Sequence, residues 1–229
     1  MRFLQLEKIP ILEQLQLEEA LLRTSEENWC LVTTGAPPAI VMGISGKPEK
    51  LVNLPKVTAD KIPLIKRFSG GGTVYIDPET IFVTFICQNT LLNLPIQPKP
   101  ILSWSETFYK PLFKGFSLRE NDYVFGEKKF GGNAQYLQKS RWLHHTSFLW
   151  DYKPEKMEYL LLPEKRPEYR QSRPHHEFLC TLKPHFPSKQ ALLDTLTTHL
   201  SSHFSLIPTT LKQAKHHLSL PHRKATTTL

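Results

Sequence analysis

Lys66-Arg67-Phe68-Ser69-Gly70-Gly71-Gly72-Thr73-Val74-Tyr75-Ile76-Asp77 is the stretch on which the reading of this chain turns. Three consecutive glycines follow two cations and a hydroxyl and precede an alternating β pattern, so the backbone can take positive φ and come close to another group. A tight bend between strands needs only one or two glycines and no preceding cations. The run therefore points to a loop that cradles a ligand. It sits at a strand end, between Leu64 to Arg67 and the strands Thr73 to Ile76 and Ile81 to Cys87, which flank a turn at Asp77-Pro78-Glu79.

Upstream of the loop, Ile11, Leu12, Leu15 and Leu22 fall on one face of a helix over Ile11 to Arg23, with Glu18 and Glu19 at the edges of that face. Trp29 to Thr34 and Ala39 to Ile44 read as strands meeting in a hairpin or sheet corner at Gly35-Ala36-Pro37-Pro38. Gly43-Ile44-Ser45-Gly46-Lys47-Pro48 lacks the spacing of a phosphate loop and reads as a surface loop, and Lys56 to Pro63 as polar connector. Downstream come a helix from Pro95 to Leu112, a strand over Phe116 to Phe125, a turn at Gly126-Glu127 and strands over Lys128 to Leu137 and Arg141 to Trp150. A short helix at Glu155 to Leu161, a charged loop at Glu164 to Pro174 and a helix over Ser188 to His203 follow. The aperiodic end, Leu218 to Leu229, reads as a mobile tail. Neighbouring strands joined by short turns, with helices grouped at intervals, define an α+β domain: a largely antiparallel mixed sheet flanked by helices. We expect one domain over residues 1–229, ending in the helix at 188–203 and the tail, without a separate C-terminal accessory domain.

At 229 residues and 40% hydrophobic content the chain can bury a core, and 29 basic against 21 acidic residues give a net charge of +8 that favours an anionic partner. Cys30, Cys87 and Cys180 are an odd count at wide spacing, which excludes a disulfide framework or a cysteine-rich zinc site. His175, His176, Cys180 and His185 offer only a chance pair of ligands at i, i+4. No secretory pattern or apolar run of ~18 residues is present, so the expectation is a soluble cytoplasmic protein.

Asn121-Asp122-Tyr123-Val124-Phe125-Gly126-Glu127-Lys128-Lys129-Phe130-Gly131-Gly132-Asn133-Ala134-Gln135 is the second informative stretch. A hairpin with solvated lysines accounts for Gly126-Glu127 but not for Gly131-Gly132-Asn133, whose backbone permits close approach beside a cation. A third stretch, Arg141-Trp142-Leu143-His144-His145-Thr146-Ser147-Phe148-Leu149, follows on the next strand.

Together the three resemble the motifs of the lipoate-protein ligase A family and its lipoyl and octanoyl transferase relatives. The first resembles Arg-Arg-x-x-Gly-Gly-Gly-x-Val-x-x-Asp, with Lys66 for the first arginine and Ile76 for histidine. The second resembles an Asn-Asp motif and Lys-x-Ser-Gly-x-Ala, with Gly131 for serine, and the third His-His-Gly-Thr-Leu-Leu, with Thr146 for glycine. The resemblance spans roughly residues 10 to 150, and one branch of the family shares the run Pro167-Glu168-Tyr169-Arg170.

The resemblance implies the biotin/lipoate ligase fold, a class II synthetase-like catalytic domain, and an enzyme that activates lipoate or octanoate with ATP and Mg²⁺ to an acyl-adenylate. The acyl group then passes to one lysine of a lipoyl-acceptor domain. Implied acceptors are 2-oxoacid dehydrogenase acyltransferase subunits and the glycine-cleavage H protein; a separate accessory protein for adenylation stays open, and neither nucleic acid nor membrane is expected as a partner. By the same match Lys129 is the catalytic lysine. Arg67, Ser69, Gly70, Gly71, Gly72, Thr73, Asn121, Gly132, Asn133, Ala134 and His145 would bind the substrate or adenylate, and Asp122 would hold Mg²⁺. Two alternatives stay open: an octanoyl or lipoyl transferase fed by an acyl carrier protein or preformed adenylate, and a non-catalytic basic binding protein on the same fold.

Overall fold

The computed structural model describes residues 1–229. The chain begins with β1 (Arg2–Glu7), α1 (Ile11–Thr24), β2 (Trp29–Thr34), β3 (Ala39–Met42), α2 (Pro48–Leu51), α3 (Leu54–Ala59), β4 (Leu64–Lys66), β5 (Val74–Ile76) and β6 (Thr80–Gln88). It continues with α4 (Pro98–Tyr109), β7 (Phe116–Arg119), β8 (Asp122–Phe125), β9 (Lys128–Leu137), β10 (Arg141–Leu149), α5 (His175–Phe178), α6 (Lys189–His203), β11 (Ile207–Pro208), α7 (Leu211–Ser219) and β12 (Thr227–Thr228).

Eight strands form a mixed sheet in the order β11-β1-β2-β6-β10-β9-β8-β7, antiparallel except where β1 lies parallel to β2 and β11. A four-stranded sheet, β12-β4-β3-β5, packs against it. Period-2 alternation sends Phe85, Trp142, Phe130 and Phe148 to one face of the large sheet, where Phe108 and Tyr109 of α4 and Leu192, Leu196 and Leu200 of α6 cover them. Fully burying each such side chain is worth about 1.5–3 kcal/mol, so this layer is the main source of stability. On the other face α1 lays Leu17 and Leu21 over Leu31, Ile86 and Leu143. Ile11 and Leu15, one helical turn apart, pack instead with Val41, Ile65 and Ile76 of the small sheet and Phe82 of β6. Small sheet and α1 thus roof the same face of the large sheet, and the space between them is the candidate site.

Several elements depart from the sequence reading. Phe116 to Phe125 is a hairpin, β7 and β8, turned at Glu120, whose φ is 53°. The corner reading of Gly35 is the right one: at φ +75° it sends β2 into the large sheet and β3 into the small one. The connector at Lys56 holds α3, whose first turn is capped by the Asn53 side chain accepting from Lys56 N. Ahead of the expected tail a Thr210–Gln213 capping box opens α7, a helix absent from the sequence reading, and the segment expected to be a mobile tail docks. Ala225 N, Thr226 N and Thr226 Oγ1 all donate to Glu19, and Thr227–Thr228 pair with β4. A buried carboxylate that collects backbone donors from 200 residues away leaves no local pattern. No helix is long and apolar enough to cross a membrane.

Candidate active site

The space between the small sheet, α1 and the large sheet is a cavity of about 800 Å³, within the range of small-molecule sites. Ile11, Leu15, Val41, Val74, Ile76 and Phe82 line an apolar part; Asn121, Asp122, Lys129, Arg170 and His175 line a polar one.

The glycine loop is held from within. Arg67 is buried, and its Nη2 donates to the carbonyls of Gly70 at 2.8 Å and Gly72 at 3.0 Å. Burial lowers its pKa to about 10, with the charge of Glu18 pulling the other way, so it stays cationic at neutral pH. Of the three glycines only Gly71 is required by its conformation: φ is +106°, and an added Cβ would lie 2.6 Å from Arg67 Nη2. A Cβ on Gly70 or Gly72 would meet nothing within 4 Å. Gly43, read as part of a surface loop, is the loop's support, since a Cβ there would sit 2.3 Å from the Gly71 carbonyl oxygen. Ile44 N donates to Ser69 O and Arg67 N to Met42 O, lacing the two segments together. Ser69 lies buried under the loop rather than on the cavity wall.

Lys129 reaches the cavity because of an irregularity in the hairpin. Tyr123 pairs with Gly131 but Val124 with Lys129, so Phe130 is an extra residue, as in a β-bulge. Phe130 turns into the core, and the shifted phase puts Lys129 and Gly132 on one face. The lysine lies across the glycine: a Cβ on Gly132 would come within 2.9 Å of Nζ. Lys129 Nζ pairs with Asp122 Oδ1 at 2.8 Å, and the Tyr169 hydroxyl donates to Asp122 Oδ2 at 2.9 Å. Burial and the neighbouring Asp122 charge push the Tyr169 pKa far up, which keeps it a donor.

This arrangement does not suit Asp122 to the Mg²⁺ role expected of it. Both carboxylate oxygens are engaged, one by an ammonium that would repel a second cation, whereas Mg²⁺ asks for near-octahedral oxygen ligation. No group of three His, Cys, Asp or Glu side chains could hold a metal ion anywhere in the chain.

Asn133 acts as a tie. Its Nδ2 donates to Asn121 O at 3.0 Å and its Oδ1 accepts from Thr146 Oγ1 at 2.6 Å, which also gives a partner to the threonine standing where glycine was expected. His145 lines the cavity and bonds through Nδ1 to Glu18 Oε2 at 3.0 Å; because a carboxylate only accepts, Nδ1 carries the proton. Gln14 and Thr84 donate to the same Glu18. Its neighbour His144 points the other way. Gln135 Nε2 donates to His144 Nδ1 at 3.1 Å, and burial, with the adjoining His145, drops its pKa to about 3.

The cavity thus gathers Arg67, the glycine loop, Thr73, Asn121, Asp122, Lys129, Gly132, Asn133, Ala134 and His145, and leaves out Ser69. Sequence reasoning gave no site role to Glu18, to Tyr169 and Arg170 of the shared run, or to Gly43. Glu18, at i+7 from Ile11, falls at the edge of the apolar stripe, where a carboxylate usually turns to solvent, so its burial left no signal. The cysteines are poor nucleophiles: Cys30 and Cys87 are buried in the core and Cys180 Sγ donates to Lys128 O, with all three thiol pKa values raised by burial.

The family model described as lipoyl protein ligase A/B catalytic domain matches residues 10–205. The chain belongs to this family. A curated relative from Plasmodium falciparum, Inactive lipoate–protein ligase 2, is 31% identical over 79% of this chain and 63% of its own length. A probable lipoate-protein ligase A from Mycoplasma genitalium is 33% identical over 49% of this chain and 34% of its own. The chain therefore spans less than two thirds of the length of either relative. Among solved structures, a lipoate-protein ligase A bound with ATP superposes with a TM-score of 0.76 at 17% identity, covering 95% of this chain and 91% of that one. A bipartite lipoate protein ligase from Thermoplasma acidophilum gives 0.77 at 19%, over 95% and 89%. These likenesses confirm the fold expected from the three motifs.

Proposed function

We propose that the chain forms an acyl-adenylate from lipoate or octanoate and ATP and transfers the acyl group to a lysine of a lipoyl-acceptor domain. The observation that carries this reading is Lys129, drawn by Asp122 across Gly132 into a cavity that is apolar at one part and cationic at another. Adenylation joins a carboxylate oxygen to the α-phosphorus of ATP and expels pyrophosphate, so it needs cations around phosphate oxygens. Transfer then forms an amide between the acceptor lysine and the acyl carbonyl carbon; AMP leaves, and the amine loses its proton. In both steps negative charge builds on oxygen, and an ammonium already oriented by Asp122 and Tyr169 stabilises it with little rearrangement. The apolar part would take the acyl chain under the Arg67-clamped loop, and the +8 net charge suits an acidic acceptor domain.

A second reading, a non-catalytic protein on this fold, is favoured by the word "inactive" in the name of the Plasmodium falciparum relative. Against it stands the intact Lys129–Asp122–Tyr169 arrangement. Incubation with ATP, lipoate and an acceptor domain separates the two: lipoyl mass on the acceptor supports the ligase, and its absence from both this mixture and one given preformed lipoyl-adenylate supports the silent protein. Mass gained only from the preformed adenylate would limit the function to transfer.

A further inference from the structure

The loop after β10 holds a buried cation that the reading above does not use. Arg170 is 6% exposed and lines the polar part of the cavity beside Lys129. Its guanidinium lies 4.6 Å from the Phe178 ring centroid, and its Nε donates to Arg173 O at 3.3 Å. Nη2, also buried, has no hydrogen-bond partner. Asp122, the nearby carboxylate, bonds Lys129 and Tyr169 and makes no bond to Nη2. His175 adds no further charge, since burial and the cations Arg170 and Lys129 keep its pKa down at about 4 and the ring neutral. Two cations therefore share one carboxylate at the polar part.

The loop is built to hold Arg170 in place. Glu168 N donates to Glu120 Oε1, the Arg173 guanidinium donates to the carbonyls of Glu127 and Tyr169, and Tyr169 is bound to Asp122. A guanidinium kept rigid and buried with an unused donor is a mismatch that an anionic ligand would remove. We propose that Arg170 binds the phosphate of the nucleotide through Nη2. This rests on the adenylating function proposed above. Tyr169 contributes by holding Asp122, and so Lys129, alongside.

The test is calorimetric titration of the full chain and of Arg170→Met and Arg170→Lys with AMP, adenosine and lipoate in turn. The wild type should bind AMP more tightly than adenosine. Arg170→Met should lose roughly 10- to 100-fold in AMP affinity while adenosine and lipoate stay within about twofold. Arg170→Lys should recover part of the loss, because lysine keeps the charge but not the planar fork. Equal losses for all three ligands would show a structural role, and a loss confined to lipoate would assign Arg170 to the carboxylate; either overturns the proposal. If the methionine variant does not fold, the lysine variant decides: unchanged AMP affinity refutes the contact. A wild type that prefers AMP, with variants that do so equally, sinks Arg170 alone. A wild type indifferent to the phosphate sinks the nucleotide site as well.

Discussion

Lys129→Ala should separate the chemistry of the site from its contribution to the fold. The lysine side chain is 22% exposed and Asp122 8%, with 2.8 Å between the charges. Removing the ammonium leaves Asp122 with only the Tyr169 hydroxyl, a loss of about 1–3 kcal/mol. This is less than the ~3–5 kcal/mol for breaking a fully buried pair, since water can reach the gap. The melting temperature should therefore fall by several degrees while the chain stays folded. Transfer loses a preorganised donor, worth about 2.7–4 kcal/mol, or a hundredfold or more in rate. Adding Asp122→Asn to Lys129→Ala removes the uncompensated charge and should restore much of the stability but none of the rate. Single-turnover transfer from preformed lipoyl-adenylate to an acceptor domain, read by intact mass, measures the first quantity; thermal melts followed by circular dichroism measure the second. A Lys129→Ala rate within about threefold of wild type would refute the assignment, and equal losses from Lys129→Ala and Lys128→Ala would place the site one residue away.

Gly71→Val should abolish lipoate binding and cost about 1–3 kcal/mol of stability, because positive φ and the nearby Arg67 Nη2 both reject a side chain; Gly70→Ala should bind normally, and calorimetric lipoate binding retained in Gly71→Val would reduce the loop to a turn. The variant with Cys30, Cys87 and Cys180 all changed to serine should keep its acyl-transfer activity, and the wild type should form no thioester with octanoyl carrier protein; an adduct lost in Cys180→Ser would favour a transferase. His144 has a folded pKa of about 3 against 6.5 unfolded, so the unfolded chain takes up the proton first. Its contribution is complete above that unfolded value and is lost as pH falls toward the folded one, amounting to roughly 2 kcal/mol at about pH 5. Denaturant melts of wild type against His144→Gln should show the variant with the flatter acid limb, and parallel limbs would remove His144 from the account.

Sequence by itself determined the family, the α+β class and most of the strands, because glycine runs, alternation and helical stripes are local properties written in consecutive residues. It also picked out Arg67, Gly71, Lys129 and His145, four positions that the fold brings to one cavity. It misjudged what depends on partners distant in the chain. Glu18 and Glu19 look like edge residues of α1, yet one holds His145 and the other anchors Thr226, and both partners lie more than 100 residues away. The cut in Phe116 to Phe125 and the extra residue at Phe130 were equally hidden, because a register shift is a relation between two strands rather than a property of either. Lys129 could be read from the sequence; that a bulge turns it onto Gly132, that Asp122 is occupied by two donors, and that Arg170 is left with a free one were decided only when the strands paired and the loop after β10 closed over them.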